Sequence, residues 1–152
     1  MKITFIQPRP ELRPFIESLW VFESPVGMPQ TDSSIAAPNG CSKLVIPYQN
    51  SLFSSADGRG QVHEQGLYFV GNRDSSTLIR STPQTTRFIV IEFTAHGAYP
   101  IFGIPMQELA NSLFDAETVF EKWGRDTRES LRNLPTVSQK VDCVQNELVL
   151  AG

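Results

Sequence analysis

The residue best placed for polar chemistry lies within the most apolar run of the chain. Glu92 is the only charged residue between Phe88 and Phe93, and it shares a strand face with Phe88 and Val90. If that face looks into the protein, the carboxylate needs a partner or a cationic ligand, because burying an unpaired charge is costly. If the face looks outward, Glu92 is an ordinary solvated strand residue, and we favour this second interpretation.

Four other residues are candidates for a binding site that includes Glu92: Trp20, Tyr48, Tyr68 and Arg80. Aromatic residues on strands more often belong to the core than to a ligand site. We nevertheless expect a cavity lined partly by aromatic side chains, which accepts a small and mostly apolar ligand. Glu92 and Arg80 are its most plausible polar contacts.

No arrangement of residues indicates catalysis. Cys41 has no histidine near it in sequence, so a small residue on a strand is a better account than a nucleophile. Asp115 and Glu117 resemble a carboxylate pair, but Asp115 suits a helix N-cap and Glu117 suits the first turn that follows. No glycine-rich phosphate loop joins a strand to a helix. We expect neither enzyme activity nor a cofactor.

Composition narrows the class of protein further. The 152 residues fit one domain, and 13 basic against 16 acidic residues give a net charge of −3. This balance argues against nucleic-acid binding by the chain itself, since phosphate contacts need a basic face. No apolar run approaches the ~20 residues of a membrane span, and the N-terminus lacks signal-peptide features. Two unpatterned cysteines suit a reducing cytoplasm.

The strand signals precede residue 104 and the helix signals follow it. Short apolar segments separated by turn residues predict strands at 15–23, 43–48, 67–71, 77–81 and 85–94. Residues 54–66 are polar and predict a loop, and Pro38-Asn39-Gly40 predicts a hairpin turn. The expected fold is mostly β with C-terminal helices (α+β), a sandwich or small barrel. We expect a single domain over 1–152, with a barrel at 1–103 and a helical segment at 104–152.

Four helices are predicted in that segment, at about 105–111, 117–123, 126–134 and 136–150. Pro105 suits a first helical turn, and Gly124 is a C-cap candidate for the second helix. Asp126 is the predicted cap of the third. Thr136 and Gln139 form a capping box that opens the last helix.

The last helix carries one apolar stripe, made of Val137, Val141, Val144 and Leu148. Its spacings of four, three and four are those of the a and d positions of a coiled coil, which predicts a homodimer seam. An ordinary amphipathic helix that packs on the barrel has the same period. We favour the seam.

Several segments resemble the N-terminal effector-sensing and dimerisation domains of AraC-type transcriptional regulators. They are the F-x-x-x-G of 93–97, the E-L-x-N of 108–111, the hairpin of 37–46, the strand of 68–72 and the "L-W" that ends 12–20. The order and spacing of these segments match over most of the chain. Each segment alone is a weak signal.

This resemblance implies a cupin-like β-barrel or jelly roll that binds an unknown small-molecule effector and forms a homodimer. DNA would be bound only through a helix-turn-helix domain, which we expect beyond residue 152. The effector would shift the packing of the C-terminal helices and so bias the DNA-binding half.

Two other functions stay open. A small cupin-like enzyme, an isomerase or a metal-dependent oxygenase, needs two or three histidines and a glutamate converging on the barrel interior. The chain has only His63, in the predicted polar loop, and His96, beside the Gly97 turn, so we expect no metal. A stand-alone partner-binding module without a pocket is the third possibility.

Overall fold

The computed structural model describes residues 1–28, 41–56, 59–63, 66–71, 78–105, 108 and 113–151. The strands are β1 (Lys2–Phe5), β2 (Ile16–Ser24), β3 (Lys43–Gln49), β4 (Leu52–Ala56), β5 (Arg59–His63), β6 (Tyr68–Val70), β7 (Leu78–Arg80), β8 (Thr86–Phe93) and β9 (Leu113–Asp115). The helices are α1 (Ala98–Phe102), α2 (Ala116–Val119), α3 (Glu121–Arg132) and α4 (Val137–Ala151), with a 3-10 turn at Pro10–Leu12.

The strands form two antiparallel sheets. The larger has the order β1-β2-β8-β3-β6-β9, and the smaller has the order β5-β4-β7. Most of the helical residues follow the last strand. The predicted fold class, mostly β with C-terminal helices, is therefore confirmed. None of the described helices is long and apolar enough to cross a bilayer.

Strand β8 is buried on both faces, because its apolar residues alternate between two cores. Ile89 and Ile91 lie in the core that also contains the helices, which we call the helix-side core. Phe88 and Val90 lie in a second core, which includes Leu52 of the smaller sheet. We call the face of the larger sheet that carries this second core the inner face.

The described strands agree with most of the predicted ones, and three differences have physical causes. Residues 54–66 are not simply a loop, because β4 and β5 pair there, with Phe53 opposite Val62. Strand β1 was missed, since its four residues are all exposed. Strand β9 pairs with β6, so the larger sheet gains a short strand from the segment predicted to be helical. The hairpin turn predicted at 38–40 lies outside the described residues.

The helix boundaries differ more. Helix α1 ends at Phe102 and is capped by Gly103, whose φ of +75° suits glycine. It precedes the helix predicted at 105–111, most of which lies outside the described residues. Helix α3 continues through both Gly124 and Asp126. Gly124 is a packing residue and not a C-cap, because a Cβ there would lie 2.7 Å from the backbone nitrogen of Glu117.

The capping box of the last helix is confirmed. The backbone N–H of Gln139 donates to the Thr136 hydroxyl at 3.2 Å. In return, the backbone N–H of Thr136 donates to the Gln139 side chain at 3.3 Å. The two reciprocal bonds satisfy donors that the first turn leaves free, and α4 runs from Val137 to Ala151.

The apolar stripe of α4 packs on the chain's own sheet. Val141, Val144 and Leu148 are at most 3% exposed and belong to the helix-side core, and Val137 packs against its edge. The assignment of this stripe to a homodimer seam is therefore corrected, since Val141, Val144 and Leu148 are already covered within one chain and only Val137 is half-buried. The period of an amphipathic helix does not distinguish the two cases. The homodimer itself stays a prediction.

Two leucines on α4 test whether its apolar stripe packs on the sheet. Leu148 is fully buried and Leu150 is 79% exposed. We expect Leu148→Ala to lower the free energy of unfolding by about 2–5 kcal/mol, because it leaves a cavity. Leu150→Ala should change it by no more than about 0.5 kcal/mol. Denaturant unfolding of dilute protein measures both, and similar losses for the two variants would contradict the packing described.

Candidate functional site

A row of polar side chains crosses the inner face of the larger sheet. Ser18 of β2 lies directly opposite Glu92 of β8, and Glu92 lies directly opposite Lys43 of β3. The Ser18 hydroxyl donates to a carboxylate oxygen of Glu92 at 3.5 Å. Lys43 is only 1% exposed, and Glu92 is half-buried. A cation and an anion therefore share one buried row, which we call the polar row.

Strand register places the polar row at one end of the inner core. The next row along the same strands is apolar, with Val90 between Trp20 and Val45. An irregularity in the β2 register between Ile16 and Ser18 adjoins the polar row. The polar row thus meets the apolar core at the point where the regular pairing of β2 is interrupted.

Burial and charge determine the protonation of the polar row. Burial lowers the pKa of Lys43, and the facing carboxylate of Glu92 opposes this shift. Cys41 lies beside the row, and its thiol donates a hydrogen bond to Glu92. Burial, with the Glu92 charge adding to it, raises the pKa of Cys41. A thiol with a raised pKa stays protonated and is a poor nucleophile, so Cys41 serves here as a donor.

The structure brings together three of the five predicted ligand residues. Glu92, Trp20 and Tyr68 all lie on the inner face, since Tyr68 is opposite Val45 in register. Trp20 is 7% exposed and packs edge-on against Phe88, at 6.1 Å between ring centroids. The inward orientation of Glu92 also reverses the outward one that we favoured from sequence.

Tyr48 and Arg80 lie elsewhere. Tyr48 follows Pro47 on β3 and packs against the helix-side core, on the opposite face of the sheet. Arg80 is exposed on β7 of the smaller sheet, opposite Phe53. Their grouping with Glu92 is therefore corrected, because the sequence did not determine which strands share a sheet.

Lys43 and Ser18 were not predicted from the sequence, and Cys41 was expected only as a small residue on a strand, whereas it lies just before β3. Lys43 carried a usable signal, since it is the single charge that opens the apolar run 43–46, as Glu92 is the single charge of its own run. Two such charges on neighbouring strands are expected to pair. The pairing of β3 with β8 is not local in sequence, and the residues alone did not specify it.

The structure also places the residues considered for metal binding and for a carboxylate pair. Within those ranges, no three His, Cys, Asp or Glu residues group closely enough to hold a metal. His63 lies on β5 and not in a loop, and His96 is exposed after β8. Asp115 caps α2 as predicted, accepting from the Glu117 N–H at 2.9 Å. Glu117 itself pairs with Arg128, with 2.7 Å between the charged atoms.

Residues 4–115 match the model of a family described as a domain of unknown function, DUF6597. The chain belongs to this family. The match ends at the last residue of β9, so it contains all nine strands except the first two residues of β1, and α2, α3 and α4 follow it. No protein of curated function matches the sequence.

Several solved structures are similar to the chain at low identity. Protein NMB1881 from Neisseria meningitidis is 12% identical, covering 61% of this chain and 84% of that one, with a TM-score of 0.43. The EutQ protein of Clostridium difficile is 16% identical, covering 61% and 68%, with a TM-score of 0.41. The AraC-like transcriptional activator CuxR is 15% identical, with a TM-score of 0.41. The comparison with CuxR covers 98% of this chain and 60% of that one.

The coupling between Glu92 and Lys43 is measurable by a double-mutant cycle with Glu92→Gln, Lys43→Met and both together. We expect a coupling free energy of about 1–3 kcal/mol, because either single change removes the opposite charge that faces the remaining group in the polar row. Glu23 and Arg87 provide a matched control on strands β2 and β8, since this pair is exposed and 4.0 Å apart. Its coupling should be about 0–1 kcal/mol. Equal couplings in the two cycles would contradict a buried polar row.

Proposed function

We propose that this chain is the small-molecule-sensing and dimerisation domain of an AraC-type bacterial transcriptional regulator, and that it is not an enzyme. The observation that carries the proposal is the polar row of Ser18, Glu92 and Lys43, which adjoins an aromatic and aliphatic core on the inner face. The sequence resemblance over most of the chain gives the regulatory context. The effector would place a polar group at the row and an apolar part toward Trp20 and Tyr68.

The thiol and the charges favour binding over catalysis. Cys41 stays protonated, because burial and the Glu92 charge raise its pKa. Lys43 and Glu92 face each other, so each charge is balanced by the opposite one and neither group is activated for catalysis. An ion pair that a ligand can join or separate is a suitable recognition element, since the ligand exchanges one set of hydrogen bonds for another.

Strand β8 offers a route from the polar row to the helices. Glu92 on its inner face is followed in the chain by Phe93, which lies in the helix-side core together with Leu148 of α4. A ligand that moves the end of β8 would therefore change the packing under α4. A helix–sheet packing with two arrangements would convert binding into a signal to whatever follows α4.

The remaining parts of the proposal concern partners. Homodimerisation would match the paired half-sites that such regulators bind. With a net charge of −3, this chain would leave DNA to a helix-turn-helix domain beyond residue 152. The cytoplasm is the proposed location. The seam would use surfaces other than the buried stripe of α4.

A thermal-shift panel of small sugars, amines, organic acids and aromatic compounds tests the proposal. We expect at least one compound class to raise the melting temperature of the wild type by several degrees, because a ligand that binds only the folded state stabilises it. The shift should be much smaller in Glu92→Gln and unchanged in Arg87→Gln, which removes a charge from the other face of β8. A panel without any shift, or equal shifts in the two variants for every compound that binds, would contradict a sensor site at the polar row.

A further inference from the structure

A concave site lies on the face of the sheet opposite the polar row, between β3 and the helices. It is a groove of about 280 Å³. Part of its floor is apolar and comes from Ile46, Leu67 and Leu131, and its rim carries the side chains of Arg128, Arg132 and Lys140. Tyr48 also lines it. We call this site the cationic groove, since none of its described lining residues is acidic.

The three cations differ in how many of their charges and hydrogen-bond donors are already paired within the protein. Arg128 forms a salt bridge with Glu117 at 2.7 Å, but its buried Nε has no acceptor among the described residues. Arg132 is exposed and makes no ion pair within the described ranges. Lys140 donates to the carbonyl of Leu131 at 2.8 Å, which leaves two of its three hydrogens. Positive charge and free donors therefore exceed what the protein itself uses.

The fourth polar group of the groove is a phenol. The Lys140 nitrogen lies 5.8 Å from the centroid of the Tyr48 ring, which fixes the lysine above the aromatic face. Burial raises the pKa of Tyr48 to about 12, so its hydroxyl keeps its proton and can donate a hydrogen bond. Burial also lowers the pKa of Lys140, and an anion nearby would offset that shift.

We propose that the cationic groove binds a small organic anion, a phosphate or a carboxylate carried on an aromatic or aliphatic body. The oxyanion would be held by Arg132 and Lys140 at the rim, where guanidinium and ammonium groups match its charge. The apolar body would lie on Ile46, Leu67 and Leu131. The volume is near the lower end of the range for small-molecule sites, which limits the ligand to about one ring and its substituents.

This inference goes beyond the sensor site on the inner face and does not depend on it. A ligand in the groove would contact β3 on one side and both α3 and α4 on the other. It would therefore hold the helices in one position against the sheet. The cationic groove is then a second input to the same helix–sheet packing.

Isothermal titration calorimetry with phenyl phosphate and benzoate tests the cationic groove, and the two probes distinguish a phosphate site from a carboxylate site. We expect at least one to bind the wild type, and Arg132→Gln to weaken that binding by about fivefold or more. The matched control is Arg125→Gln, which removes the same charge from the exposed surface of α3 outside the groove, and it should change the affinity less than about twofold. Affinity should also fall as salt is added.

Two further probes separate the contribution of the charge from that of the ring. Benzyl alcohol should not bind, since it lacks the charge, and inorganic phosphate should bind more weakly than phenyl phosphate, since it lacks the ring. No binding of either anionic probe at about 10 mM, well above the range of specific sites, would overturn the proposal. So would equal losses in Arg132→Gln and Arg125→Gln, or inorganic phosphate binding as tightly as phenyl phosphate.

Discussion

The burial of β8 on both faces is the constraint on which the rest of the structure depends. Its alternating residues belong to two different cores, so every neighbouring strand must align its own apolar residues with both. A slip of one residue would exchange the two faces and place Glu92 in the helix-side core. The charge at the end of β8 is thereby fixed on the inner face, where Lys43 is the cation opposite it.

The same constraint gives the molecule two separate places for polar chemistry. The polar row lies on the inner face, while the cationic groove lies on the face that carries the helices. Both involve β3, because Lys43 and Tyr48 project to opposite sides of that strand. Helix α4 covers the sheet with Val144 and Leu148, and it also supplies Lys140 to the groove. The groove therefore shares β3 and α4 with the packing of the helices on the sheet.

Local patterns in the sequence predicted the strands and caps that depend on neighbouring residues. The β-branched run of 85–94 predicted β8, and the Thr136–Gln139 pair predicted the start of α4. Features that depend on distant partners were not predictable in this way. From the sequence alone, Gly124 was predicted to be a C-cap. A side chain there would collide with the backbone of Glu117 in another helix, and local sequence does not show that contact. The polar row likewise depends on pairing between β3 and β8, and Tyr48 could not be assigned to a face without it.

The most direct test of this account is the ionisation of Lys43, followed through the NMR signal of its side-chain nitrogen as pH rises. We expect a pKa below its ordinary value of 10.5, because burial lowers it, and a further fall in Glu92→Gln, because the carboxylate opposes that shift. Since the folded state then binds the proton less tightly than the unfolded chain, stability attributable to Lys43 should increase as pH rises toward that value. A Lys43 that titrates like a solvated lysine, unaffected by Glu92→Gln, would contradict the buried polar row.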